Sequence, residues 1–314
     1  GEDTLSLHDA LPIFEDILEG NPLGRRIFVR STNRGNRFTF TEERMDQLLP
    51  LRRPTFRESY QYALVERRGH LLQVTINRPE VRNSLHPMAN EELEEIWDAY
   101  EADADLWVAV VTGAGTEAFS AGNDLKYTAS GKPMWMPRSG FGGLTSRTRV
   151  KPVIAAVNGF AMGGGTEMAL ASDIVVADEK ASFALSEVRV GLVAAASGLV
   201  RLPRQIPKKI AVEHILTGRA IPAQQALQLG LVNRIMPAGQ ALAGALEIAN
   251  EILAVSPTSV RVSMKVMNEA DETPSEAEAA STPSQFLDEL LTSEDYLEGP
   301  KAFAEKRKPV WRNR

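Results

Sequence analysis

The chain of 314 residues contains no cysteine, which excludes disulfides, thiolate metal sites and cysteine nucleophiles together. Histidine is scarce as well. His8, His70, His86 and His214 show no metal-ligand spacing such as H-x-x-x-H, and none lies close in sequence to a glycine-rich run. They read as surface or internally satisfied side chains, and no metal is expected. There is no excess of basic charge: 35 Lys and Arg stand against 41 Asp and Glu, the net charge is −6 and the pI is near 5.5. Such a balance gives no field to attract phosphate backbones, so nucleic acid is not an expected partner. Long apolar runs are missing too. The most apolar region, Val153 to Ala177, is broken by Asn158, Glu167 and Asp173 and falls short of the roughly 20 residues that a membrane span needs. The expectation is a soluble, cytoplasmic protein with no membrane partner. No G-x-S-x-G elbow, Walker loop or G-x-G-x-x-G after a strand is found, against a serine hydrolase, an NTPase and a Rossmann dehydrogenase.

What is present divides near residue 60. Between Gly24 and Arg57 there are nine arginines, three acidic residues and no lysine, with little periodicity of 2 or 3.6. The first residues are acidic instead, with Glu2, Asp3, Asp9, Glu15, Asp16 and Glu19, which a transit peptide avoids. Thr4 to Ile13 looks like translated library-adaptor sequence, and Met45 would suit a true start. Residues 1–60 are therefore read as an atypical extension, non-native or disordered, and set aside.

From Tyr62 the pattern is regular. Ala63–Glu66 and Leu71–Ile76 predict a β-hairpin across Arg68-Gly69-His70, ended by Pro79. Met88, Leu93, Ile96, Trp97 and Tyr100 recur at helical spacing after Pro87, with the intervening glutamates as the solvent face. Trp107–Thr112, Val153–Val157 and Ile174–Ala177 read as buried strands alternating with helical segments, which predicts an α/β core (61–255) of repeated β-β-α or β-α units. Beyond Pro257 the chain (256–314) reads as mainly helical, with Glu269–Ser284 as an exposed turn between helices. Helices that close a finished core often pack on a neighbour, so an oligomer is expected.

Three runs carry the chemistry: A-F-S-A-G-N-D-L-K (118–126), N-G-F-A-M-G-G-G-T-E (158–167) and F-A-L-S-E (183–187). The glycines of the second run precede good helix formers, so they can either turn backbone N–H groups toward a ligand or permit tight packing. The first run repeats the arrangement, a strand, a loop of small residues, and Asn123-Asp124 suited to a turn or cap. Two such loops at the ends of strands in one sheet can place one N–H apiece around a carbonyl oxygen. Glu167, at the start of an apolar helix, is expected to be buried, and burial of a carboxylate calls for a purpose. Glu187 by itself would pass for a surface residue.

The ordered set S-A-G-N-D-L-K, K-P-V-I-A-A-V-N-G-F-A-M-G-G-G-T-E-M-A-L-A-S-D and F-A-L-S-E-V-R-V-G-L resembles the enoyl-CoA hydratase/isomerase family, the crotonases, over about residues 62–314. The closing run E-D-Y-L-E-G-P-K-A-F-A-E-K-R-K-P-V-W is similar to its hydratase branch, which includes the carnitinyl-CoA dehydratases. The resemblance implies a crotonase-like α/β spiral with a C-terminal helical oligomerisation region, and a homotrimer or dimer of trimers. It implies an acyl-CoA thioester substrate and no cofactor beyond the coenzyme A that the substrate carries. Carried over, the oxyanion donors are the N–H groups of Asn123 and Gly164, and the acid/base pair is Glu167, chiefly toward water, and Glu187, chiefly toward the α-proton. Substrate contacts are expected from Ala121, Gly122, Asn123, Asp124, Leu125, Gly163 and Gly164; Asp124 suits a cap, and Lys126 a solvated position or a CoA phosphate. Two departures stand out. Asn123 replaces a smaller residue and can bring a polar group to the acyl site, and Ala194-Ala195-Ala196-Ser197-Gly198 replaces a turn richer in proline and glycine. The expected reaction is reversible addition of water to a 2-enoyl-CoA. Carnitinyl-CoA dehydratase (crotonobetainyl-CoA hydratase) chemistry, an enoyl-CoA isomerase that can work with one carboxylate, and a non-catalytic CoA-ester or RNA-binding homologue are the alternatives.

Overall fold

The computed structural model describes residues 54–314 apart from 274, 282 and 283, and two short strands ahead of them. Those strands, β1 (Phe28–Arg30) and β2 (Arg37–Thr39), form an antiparallel pair within the first of two units, residues 1–53. The reading of the extension as non-native or disordered otherwise lies outside the described residues. In the second unit Phe56 and Tyr60 already pack on the core, ahead of the break in composition.

The hairpin forms as β3 (Ala63–Arg68) and β4 (Leu71–Ile76), turning at Gly69 with φ +60°. Helix α1 (Pro87–Ala102) is capped by His86, whose Nδ1 accepts the Ala89 N–H at 3.1 Å. It buries Leu93, Ile96, Trp97 and Tyr100 as its spacing predicts. Its glutamates do not all face solvent: Glu92 is buried and accepts the N–H groups of Gln61 and Tyr62 at 2.8 and 2.6 Å, tying the hairpin to the helix. A carboxylate that satisfies two strand-entry amides is stable where a solvated one was expected.

Thereafter the chain shuttles between two sheets. Strand β5 (Val108–Gly113) leads to β6 (Ala118–Ser120) and α2 (Leu125–Ala129). Strand β7 (Val153–Val157) leads to β8 (Phe160–Met162) and α3 (Gly164–Ala171). Strand β9 (Ile174–Asp178) leads to β10 (Ser182–Ala184) and, past a 3₁₀ turn at Glu187–Val190, to α4 (Gly198–Gln205). Strands β3, β4, β5, β7 and β9, with β12 (Arg234–Met236), join a six-stranded sheet, order β12-β9-β7-β5-β4-β3, and β6, β8 and β10, with β11 (Ile221–Pro222), a second sheet, order β11-β10-β8-β6. This is the expected β-β-α repeat. The two glycine loops, however, follow β6 and β8 of the small sheet and not β5 and β7, whose longer apolar runs are what periodicity detects.

Helices α5 (Lys208–Thr217) and α6 (Ala223–Gln228) flank β11 (Ile221–Pro222), and β12 (Arg234–Met236) completes the large sheet. Both faces of that sheet are covered, which is why its strands read as continuous apolar runs. Val111, Val153, Ala155 and Val157 join the main core, while Val108, Val110, Ile154 and Ala156 face Ala241, Ala245 and Ala249 of α7 (Ala241–Leu253). The alanines, spaced four apart, form one small-residue stripe on that helix. Helices α8 (Pro257–Glu272), α9 (Glu276–Ser281), α10 (Leu287–Leu291) and α11 (Glu294–Ala304) follow. The segment 269–284 is thus more than a turn: α8 extends through its first residues and α9 occupies its middle.

Candidate active site

Strands β6, β8 and β10 are parallel neighbours in the small sheet, with β8 in the centre. Their C-terminal ends deliver the three chemistry-bearing runs side by side. The central turn carries Gly163 to Glu167; Asn123 arrives on one flank and Glu187 on the other.

The contacts are close. Gly122, at φ +82°, lies so near the central turn that a Cβ there would fall 2.5 Å from the Met162 carbonyl and 2.9 Å from the Gly164 nitrogen. On the other flank, a Cβ on Gly163 (φ +52°) would fall 2.8 Å from Glu187 Oε1. Glycine at these two positions answers both backbone conformation and proximity. The tight-packing reading of the glycine cluster also holds, since Gly164 abuts the Phe141 ring and Gly165 the Ser120 carbonyl.

Asn123 forms a parallel bridge with Leu85: the Leu85 N–H donates to Gly122 O at 2.8 Å and the Asp124 N–H to Leu85 O at 3.0 Å. This pairing leaves the Asn123 N–H pointing away from Leu85. Gly164, the first residue of α3, has no earlier turn to accept its N–H. Among the described residues neither amide has an acceptor. The Asn123 side chain is itself engaged, donating from Nδ2 to Thr128 Oγ1 at 2.9 Å.

Asp124 caps α2, accepting the Tyr127 N–H at 3.1 Å, and pairs with Arg78 at 3.1 Å. This is the cap that its chemistry predicts. Ala121 donates its N–H to Arg82 O at 2.9 Å. Leu125 and Lys126 are exposed on α2.

Glu167 is buried, 2% exposed, and accepts the Gly198 N–H at 2.8 Å. Burial pushes its carboxyl up to about 7; the Gly198 amide pulls against this, the neighbouring Glu187 charge adds to it, and the Ala196 backbone opposes it. Glu187 opens the 3₁₀ turn, and its Oε2 is buried without a partner among the described residues. Burial raises this carboxyl too, against a backbone hydrogen bond at Glu187 itself. The constellation is therefore two unclaimed amides beside two carboxylates that favour protonation. Such a site can polarise a carbonyl and move protons next to it.

Gly198 as the partner of Glu167, and Phe141 as the wall beside Gly164, are not legible from the sequence patterns. Gly198 lies 31 residues beyond the glutamate it serves. The profile of the enoyl-CoA hydratase/isomerase family matches residues 66–314. The chain belongs to this family. A mevalonyl-coenzyme A hydratase of Aspergillus fumigatus is 44% identical over 248 residues, covering 77% of this chain and 92% of that protein. A carnitinyl-CoA dehydratase of Escherichia coli is 40% identical over 254 residues, 79% and 97% of the two chains. The crystal structure of an enoyl-CoA hydratase from Mycobacterium tuberculosis superposes with a TM-score of 0.75 at 41% identity, over 81% of this chain and 99% of that one. The architecture is accordingly the crotonase fold. In this crotonase the Asn123 departure has a local explanation, a side chain turned onto Thr128 while its amide stays available.

Among the described residues no helix is long and apolar enough to cross a membrane. No group of three or more His, Asp or Glu among them could hold a metal. Of the histidines, His70 meets Asp105 O at 2.6 Å and stacks on Trp107, and His214 meets Arg219 O at 3.0 Å. With the capping His86 these are satisfied side chains, as expected; His8 lies outside the described residues.

Proposed function

We propose that this protein is an enoyl-CoA hydratase, a hydro-lyase that adds water reversibly across the double bond of a 2-enoyl-CoA. The observation that carries the reading is the pair Asn123 N–H and Gly164 N–H, both without an acceptor among the described residues, set beside Glu167 and Glu187. The thioester oxygen accepts from the two amides. Glu167, ionised, takes a proton from water as the water oxygen bonds to Cβ, and the displaced π electrons collect on the thioester oxygen as an enolate. Glu187, protonated, gives its proton to Cα as the enolate collapses. The proton taken by Glu167 returns to Glu187 before the next cycle, so atoms and charge balance. Two raised carboxyls in mutual range favour a state that holds one proton between them, which this sequence of steps requires.

An isomerase needs a single proton carrier; retention of both glutamates in one site favours hydration. Dehydration of carnitinyl-CoA is the second reading. It is supported by the Escherichia coli relative and by the polar Asn123–Thr128 pair at the edge of the site. No cofactor enters either scheme. Exposed Leu287, Leu291, Leu297 and Phe303 on the closing helices support a homotrimer or dimer of trimers. A cytoplasmic setting belongs to the same proposal. A panel of enoyl-CoA esters that includes crotonyl-CoA and crotonobetainyl-CoA tests it through loss of enoyl absorbance. Turnover of at least one ester is expected, and failure across the panel would sink the hydratase reading.

A further inference from the structure

Ser197 stands at the N-cap of α4 in a left-handed conformation, φ +86° and ψ −3°. Serine at an N-cap normally adopts extended backbone and accepts an amide of the first turn through its hydroxyl. Ser197 makes no such bond. Its Oγ accepts instead from Arg201 Nε at 3.1 Å, one turn further along the same helix. The α4 N-terminus is occupied from outside: the Gly198 N–H donates to Glu167 Oε1, and a Cβ on Gly198 would fall 2.9 Å from that oxygen. The carboxylate of Glu167 thus takes the first amide of α4.

Arg201 has a second attachment. Its Nη2 donates to Thr145 O at 3.3 Å, and Thr145 Oγ1 accepts the Phe141 N–H at 2.8 Å. Phe141 is the ring that abuts Gly164. One guanidinium therefore connects the loop that holds Glu167 with the wall beside an oxyanion donor. The groups whose charges act on Arg201 are Arg149, Asp173 and Asp271, whereas the charge acting on Glu167 is that of Glu187. The link from Arg201 to Glu167 is one of geometry, through Ser197.

We infer that Arg201 is a positioning residue of the hydration site: by gripping the Ser197 hydroxyl it holds the left-handed turn that aims the Gly198 amide at Glu167, and through Thr145 it anchors that loop to the Phe141 wall. This role rests on the hydratase reading, and it requires no contact between Arg201 and substrate.

The test is a double-mutant cycle on crotonyl-CoA hydration with Arg201→Gln and Ser197→Gly. Glycine favours the left-handed conformation, so Ser197→Gly removes the hydroxyl without straining the turn. Each single variant is expected to lower kcat about tenfold with KM changed less than threefold, since the loss is one of alignment. Because both break the same link, the double variant is expected to lose about tenfold again in total, not about a hundredfold. Weakening the Gly198 bond disfavours the ionised carboxylate, so the acidic limb of the kcat profile moves to higher pH in both singles. Wild-type kcat in Ser197→Gly, or losses that multiply in the double variant, would overturn the inference. Arg201→Lys, which lacks the two-pronged donor set, replaces Arg201→Gln in the cycle if the latter does not fold. The infrared titration of the Glu167 carboxyl in substrate-free protein, assigned by its disappearance in Glu167→Gln, is independent of turnover. It is expected to shift upward in Ser197→Gly, and an unmoved titration refutes the positioning role even if no enoyl ester is hydrated.

Discussion

Two carboxyls among the described residues, Glu167 and Glu101, are pushed up to about 7, and in both cases burial is the main cause. Their surroundings differ completely. Glu101 lies in the last turn of α1 beside the segment that leads into β7, where the charges of Lys151, Arg149 and Arg147 oppose its rise. Lys151 donates to the carbonyls of Tyr100 and Asp103, and Arg149 to Ala171 O and Asp173, so the cations there serve the scaffold. Glu167 stands where the small-sheet strands end, with a second carboxylate and two unclaimed amides as neighbours. A perturbed carboxyl alone does not distinguish a site from a structural cluster; the kind of neighbour does.

The largest expected effect separates the two carboxyls by activity. Glu167→Gln or Glu187→Gln should lower kcat for crotonyl-CoA hydration about 10³-fold while CoA-ester binding, followed by calorimetry, persists. Glu101→Gln should leave kcat within about threefold. Comparable losses at both places would erase the distinction.

A smaller loss is expected from Gly122→Ala, which strains a left-handed position and drives a Cβ toward the Met162 carbonyl. Displacing the Asn123 amide in this way should cost about 10²-fold in kcat, read by stopped-flow absorbance. A variant that folds with full activity would show that this amide is not a donor in the reaction.

The smallest effect concerns stability. The folded pKa of Glu167 lies above its unfolded value, so folding favours its neutral form. Stability is full at low pH and declines as pH rises through the unfolded value toward about 7. Glu167→Gln keeps a neutral acceptor for Gly198 and should therefore stabilise by about 3 kcal/mol at pH 8, and by less than about 1 kcal/mol at pH 5. Denaturant unfolding at the two pH values measures the difference. Equal effects at both would place the carboxyl in an ordinary solvated environment.

Much of this arrangement can be read from the chain. The long strands of the large sheet and α1 announce themselves through sustained apolar periodicity, and the glycine runs and both glutamates through their motifs. The strands that bring those motifs together do not, because β6, β8 and β10 have three residues each, too few for alternation to register. Glu92 misleads for a related reason: helical spacing assigns it to the polar face, while the chain ahead of the hairpin supplies the amides that bury it. The left-handed Ser197 is equally silent, since serine carries no preference for that conformation.

The order β10-β8-β6 also bears on how such a site can be diversified. In the proposed hydration, thioester polarisation belongs to the centre and one flank, while Glu187 arrives on the opposite flank from a strand of its own. An altered residue at the end of β10 would change how the enolate is resolved while the group that generates it stays in place. Recombination or redesign can therefore treat the Phe183–Glu187 run as an exchangeable cassette, with the register between β10 and β8 as the joint that a transplant has to preserve.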